Sequence, residues 1–174
     1  MKFIITIITF FLTSSLLMAQ TIDAVFLNAN ITKLKNAKEY TLQVANLLPA
    51  EKYNYKPSKA EMGFGKQLLH ISENLCWLSS SYLTGNKNPL TEADGKLTSK
   101  KNIIAIVIKA YDFAIDALQN FDTKALADTV KFFSGSMNKL QIINLIQDHQ
   151  THHRAQLLVY LRLNGIKPPE YVGW

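Results

Sequence analysis

The sequence predicts an all-α protein, a four-helix bundle. Apolar residues recur at helical spacing through four long segments, and strand-type alternation is scarce. Turn residues close the first, second and fourth segments: Pro49, then Gly85-Asn86 with Asn88-Pro89, then Gly165 with Pro168-Pro169. Four helices with moderate connections and one shared apolar interior make a bundle the expected architecture.

The first helix is expected from Ile22 to Leu48, where Val25, Phe26, Ile31, Leu34, Tyr40, Val44 and Leu47 keep a helical period and Pro49 ends it. A loop with Tyr53, Tyr55 and Pro57 follows, with Ser58 as a turn or cap residue. The second helix should run from Phe64 to Leu83. Either Thr98 or Ser99 offers a hydroxyl to cap the third helix, whose face carries Ile103, Val107, Tyr111, Ala114 and Leu118. Residues 122–136 read as irregular. Thr129 to Phe133 is β-prone, but it has no evident partner run, so no sheet is expected. The fourth helix should span Met137 to Asn164, with Gly165 suited to the residue after its end and Pro168-Pro169 barring continuation.

The N-terminus reads as a secretory leader. Met1-Lys2 precedes an apolar run from Phe3 to Met18, interrupted only by hydroxyl residues, and Ala19-Gln20 supplies a cleavage point, although Leu17 departs from the small-residue ideal. The run is about 16 residues, short of the roughly 20 needed to span a bilayer. The expected division is a signal peptide over 1–19 and one domain over 20–174. An uncleaved N-terminal anchor is the competing reading. Cleavage would leave no stable membrane anchor and place the domain outside the cytoplasm, in the periplasm or the medium. The single cysteine, Cys76, excludes an intramolecular disulfide. The formal charge is +6, but the lysines are scattered and no basic-aromatic stripe emerges, so no nucleic acid partner is expected.

The most concentrated chemical signal is histidine. Of four in the chain, His149, His152 and His153 fall within one short stretch of the fourth helix. Positions four apart lie about 40° from one another around a helix, so His149 and His153 form one row. Ile142, Leu145, Gln156 and Tyr160 share that row, which places both imidazoles on the stripe facing the interior. Two imidazoles so placed can bind one divalent ion, and a third from another helix would still leave coordination positions open. His152 lies about 60° to the side of His149, and Arg154 is expected to point away, toward a carboxylate or solvent. His70 shares a row with Asn74, Trp77 and Ser81, whereas Leu68, Ile71, Leu75, Leu78 and Tyr82 make the more evident apolar face. Spacing alone leaves His70 open between a ligand and a surface residue beside a tryptophan.

The segments Gly65 to Glu73 and His149 to Gln156 resemble the DinB-like (YfiT-like) superfamily, whose pattern is a histidine on the second helix and a late His-x-x-x-His-Arg on the fourth. The ending, Val159 to Gly165 followed by Pro168-Pro169 and Tyr171, is similar as well, so the likeness covers essentially the whole mature chain. The resemblance implies His70, His149 and His153 as ligands of a divalent metal. Zinc suits imidazole ligands with an open position; nickel, iron, manganese and copper are the alternatives. Gln156, Asn74, Glu73 and His152 lie within about a turn of a ligand and are candidates to hydrogen-bond it, while Tyr160 and Trp77 are candidates to wall the pocket. Characterised relatives include thiol-dependent S-transferases, a mycothiol-dependent isomerase and metal-dependent hydrolases, acting on small molecules. The substrate here is unspecified, and a homodimer is among the assemblies the resemblance allows.

Low-molecular-weight thiols are mainly cytoplasmic, so export favours hydrolysis over thiol transfer; a non-catalytic metal- or ligand-binding role is the third reading. Cys76 is expected to be a small buried residue, and Asp112 with Asp116 a solvated pair. No Gly-x-Ser-x-Gly or His-Glu-x-x-His element nominates another hydrolytic mechanism.

Overall fold

A computed structural model describes the backbone of residues 2–174 and the side chains of residues 22–174. The helices are α1 (Lys2–Leu47), α2 (Phe64–Leu78), α3 (Lys100–Gln119) and α4 (Lys139–Leu163). The expected leader falls on residues 1–19, whose side chains lie outside the described residues. Among the described residues no helix is long and apolar enough to cross a membrane.

The chain is a four-helix bundle in which α1 packs on α3 and α4, and α2 packs on the same two helices. The inward stripe of α1 is Leu27, Asn30, Leu34, Ala37, Thr41 and Val44, continued by Leu48 just past its end, a regular alternation of three and four residues. Two of its members are polar, and the apolar residues alone therefore mark the stripe imperfectly. Val25 and Leu47, read from sequence as part of it, are exposed instead. Leu68, Ile71 and Leu75 of α2 meet Ile103, Val107 and Leu118 of α3 and Ile142, Ile146 and Leu157 of α4 in one core.

Each helix end has a local cause. Ser99 caps α3, its hydroxyl accepting from the Asn102 amide at 3.3 Å, which settles the choice between Thr98 and Ser99. The end of α2 widens into a π-helical turn, Ser79–Thr84, and stops at Gly85 with φ +69°. The end of α4 is a Schellman motif: the Ile166 amide donates to the Leu161 carbonyl and the Gly165 amide to Arg162, with Gly165 at φ +73°.

The region before α4 departs from expectation. Thr129–Phe132 forms β1 and pairs antiparallel with β2, Gly135–Asn138, in the register Thr129↔Asn138 to Phe132↔Gly135. The sequence Gly-Ser-Met-Asn has little intrinsic strand preference. It pairs because a two-residue connection holds it beside β1, and because Phe132 anchors the hairpin against Trp77 and Tyr82, with ring centroids 5.7 Å from each. The fourth helix consequently starts at Lys139 rather than Met137. Its first turn is closed by a capping box: the Gln141 amide donates to Asn138 Oδ1 at 2.9 Å, and the Asn138 amide to Gln141 Oε1 at 2.8 Å.

Asn138→Ala removes the side-chain acceptor of this box and should destabilise the fold by about 1 kcal/mol. For a chain of this length that lowers Tm by roughly 2–4 °C. Thermal melts followed by circular dichroism should show the drop.

Candidate metal centre

Three imidazoles converge where α2 crosses α4. His149 and His153 stand one turn apart on α4, and His70 reaches them from α2. Ring centroids are 4.9 Å apart for His70 and His149, 4.5 Å for His70 and His153, and 4.5 Å for His149 and His153. One nitrogen from each lies within 4.8 Å of the other two. The contacts between the helices run in opposite directions along them. Tyr160 Oη donates to the Met62 carbonyl, Gln67 bonds Gln156 and His153, and His70 meets His149 and His153. The two helices are therefore antiparallel, and the histidine of one is set against the pair on the other.

The nitrogen atoms are not equivalent. His153 Nδ1 lies 2.5 Å from Gln67 Oε1, which leaves Nε2 as its free donor. His149 Nδ1 is buried and has no hydrogen-bond partner among the described residues. A buried lone pair with nothing to bond fits an ion-binding position, as does a set of three nitrogen donors that leaves further coordination positions free. Burial pushes the His149 imidazole down from its ordinary value near 6.5 to about 4, and the neighbouring His153, His70 and His152 push the same way. Burial likewise takes His153 to about 4, with His70 and His152 adding to it. Both rings are neutral at pH 7 and keep a lone pair for an ion.

The other residues singled out from sequence are placed as follows. Gln156 joins the site indirectly, its Oε1 accepting from Gln67 Nε2 and its Nε2 lying 3.0 Å from Nε2 of the exposed His152. Asn74, one turn beyond His70, has a buried Oδ1 with no partner. Tyr160 is buried, donates to the Met62 carbonyl at 3.0 Å and packs edge-on against Tyr55. Trp77 turns to the hairpin, in an aromatic group with Tyr82, Phe132 and Phe133. Glu73 is exposed, and its carboxylate lies so close to Gly95 that a Cβ there would collide with it; it is not among the groups that meet at the imidazoles. Cys76 is fully buried, and burial pushes its thiol up to about 12, which removes it as a nucleophile at neutral pH. Asp112 pairs with Lys38 at 2.6 Å, and Asp116 accepts from Asn120.

Arg154 corrects an expectation. It is 4% exposed and meets neither carboxylate nor solvent. Its guanidinium donates to Gln150 Oε1 and to Thr151 Oγ1, and lies 5.2 Å over the Tyr40 ring. The reason is that α4 is buried on two faces. Gln147, Gln150 and Arg154 form a second inward row toward α1 and α3, and a polar row reads as solvent-facing in a sequence. Gln67 was missed for the same reason, although its position one turn before His70 was the available signal.

Residues 20–173 match the DinB family. The chain belongs to the DinB family. It is 21% identical over 139 residues to a protein of Bacillus subtilis, "Uncharacterized protein YjoA", covering 79% of this chain and 90% of that one. The crystal structure of that DinB-like protein superposes with a TM-score of 0.68 at 17% identity, over 82% of this chain and 96% of YjoA. A DinB-like protein of Bacillus cereus superposes with a TM-score of 0.67 at 21% identity, over 83% and 97% of the two chains. At these identities the superpositions establish the fold, and the chemistry of this DinB protein rests on its own residues.

The depressed imidazoles make the metal-free fold sensitive to acid. Above pH 6.5 His149 and His153 are neutral whether the chain is folded or unfolded. Between pH 6.5 and 4 the unfolded chain takes up protons that the folded chain refuses, so stability falls with pH across that window. Melts in the presence of chelator should show Tm declining from pH 6.5 to 4, with a shallower slope in His149→Ala/His153→Ala. Equal slopes would refute the assignment.

Proposed function

We propose that this DinB protein is an exported, metal-dependent hydrolase of a small-molecule substrate, with His70, His149 and His153 holding one divalent ion, zinc foremost. The observation that carries the reading is the convergence of three imidazoles from two helices, with no carboxylate or thiolate among them. When bound, a divalent ion supplies Lewis acidity, polarising a carbonyl or phosphoryl oxygen and acidifying water.

The chain's own residues prepare that chemistry. Neutral imidazoles leave an ion's charge uncompensated, and no carboxylate joins the three histidines among the described residues. Tyr160 donates its hydroxyl proton to the Met62 carbonyl, so its ring, not its hydroxyl, is what it has to offer a substrate. His152 is exposed beside His153, with ring centroids 5.0 Å apart, and is placed to exchange protons with solvent. The leader-like residues 1–19 support export, and outside the cytoplasm water is a more available nucleophile than a low-molecular-weight thiol.

The test begins with metal content of untagged protein. Near-stoichiometric divalent metal should be found in the parent and lost in His149→Ala/His153→Ala while the helical spectrum persists. Loaded protein should then turn over a member of an ester, amide and phosphoester panel without added thiol. Turnover only with thiol would make it a transferase, and metal without turnover a binding protein. No metal after reconstitution with several divalent ions would overturn the centre. Export is tested by the N-terminal mass of protein recovered outside the cytoplasm, expected to begin at Gln20.

A further inference from the structure

The geometry points to Gln67 as the positioning residue that fixes the tautomer of His153 and selects Nε2 as its metal-facing donor, with Gln156 fixing Gln67 in turn. The metal-facing part of this inference rests on the proposed three-histidine site; the tautomer part does not.

Gln67 is 1% exposed and stands three residues before His70 on α2. One turn of one helix therefore supplies both an imidazole to the cluster and the amide that meets an imidazole of the other helix. Gln67 Oε1 lies 2.5 Å from His153 Nδ1. An amide oxygen only accepts, so Nδ1 carries the proton; a neutral imidazole has only one, and Nε2 keeps its lone pair.

An amide can in principle be turned end for end, which would present its NH2 group to Nδ1 and move the imidazole proton to Nε2. The turn cannot happen at Gln67 alone, because its amide is tied into a longer chain of hydrogen bonds. Gln67 Nε2 donates to Gln156 Oε1, and Gln156 Nε2 meets Nε2 of His152 at 3.0 Å. Each amide accepts on the side of His153 and donates on the side of His152, so the chain has one direction. Reversing it requires both amides to turn together and leaves His153 without a lone pair at Nε2. An ion binds lone pairs only, so only the observed direction gives the three-nitrogen site.

Two features make Gln67 more than a satisfied core amide. Among the described residues His149, the other ligand candidate on α4, has no partner at Nδ1, whereas His153 is held there by a side chain. The partner is also neutral. A carboxylate in this place would orient the ring and raise its basicity, whereas an amide orients it without adding charge. Gln67 thus supplies geometry and leaves the site's positive charge undiminished.

Imidazole-detected 1H–15N spectra of labelled protein, metal-free and zinc-loaded, test the assignment. His153 should show the Nδ1–H tautomer in both states, with that proton protected from exchange. Gln67→Leu should lose the protected proton and weaken zinc binding about 10–100-fold by chelator competition, and Gln67→Glu should restore both. A Gln67→Leu protein that keeps the protected proton and parental zinc affinity, or a parent with His153 protonated at Nε2, would overturn the role. Should Gln67→Leu fail to fold, Gln67→Glu decides: a retained Nδ1 proton moved downfield supports the role, and its loss overturns it. If the parent binds no zinc, the proposed metal function fails, while the tautomer in the metal-free spectrum still decides the role of Gln67.

Discussion

The antiparallel contact between α2 and α4 is the constraint on which the molecule depends. It sets His70 against His149 and His153, places Gln67 between His153 and Gln156, and ties Tyr160 to the Met62 carbonyl before α2 begins. A change of register by one helical turn would separate every one of these pairs at once. The contact is held by apolar packing on both helices, with Leu68, Ile71 and Leu75 against Ile142, Ile146 and Leu157 in the same core. The polar site is therefore positioned by surfaces that carry no chemistry of their own, which is how a bundle core hosts a cluster that gains little stability by itself.

The opposite face of α4 solves a different problem. A guanidinium buried without a carboxylate is costly, because its hydration is lost and no ion pair replaces it. Here Gln150 and Thr151 accept its protons, and the Tyr40 ring lies beneath the cation. Tyr111 bonds Gln150 at 3.1 Å and Thr41 at 2.9 Å, and Gln147 donates to the Asn30 carbonyl, so the row is tied to α1 and α3. These polar connections are directional, and they fix the rotation of α4 about its axis, on which the aim of the imidazoles depends.

Much of this was legible in the sequence, and what escaped has a common cause. The four helices, a hydroxyl cap at Thr98 or Ser99 and the Gly165 ending follow from local chemistry, because each is decided by residues within a turn of one another; the choice of Ser99 is the structure's. The row containing His149 and His153 follows from helical spacing. The membership of His70 did not follow from spacing, since its row is less apolar than the one beside it; the resemblance to the DinB family supplied it. Gln67, Gln147, Gln150 and Arg154 were hidden because buried polar residues look like surface until their partners on other helices are known. Val25 and Leu47 are the converse, apolar residues left on the outside of α1. The hairpin was missed because its second strand is held by a short connection and by Phe132 against Trp77, neither of which is a strand propensity.

That hairpin divides the molecule's responsibilities. All three imidazoles and the amides behind them come from α2 and α4, and the hairpin contributes none of them. Its tip nevertheless carries Phe133, 83% exposed and stacked on Trp77, two turns along α2 from His70. The three-histidine cluster and the aromatic surface beyond it are thus separately encoded in the sequence. A substitution at the hairpin tip can therefore reshape that aromatic surface without touching an imidazole or the amides behind it.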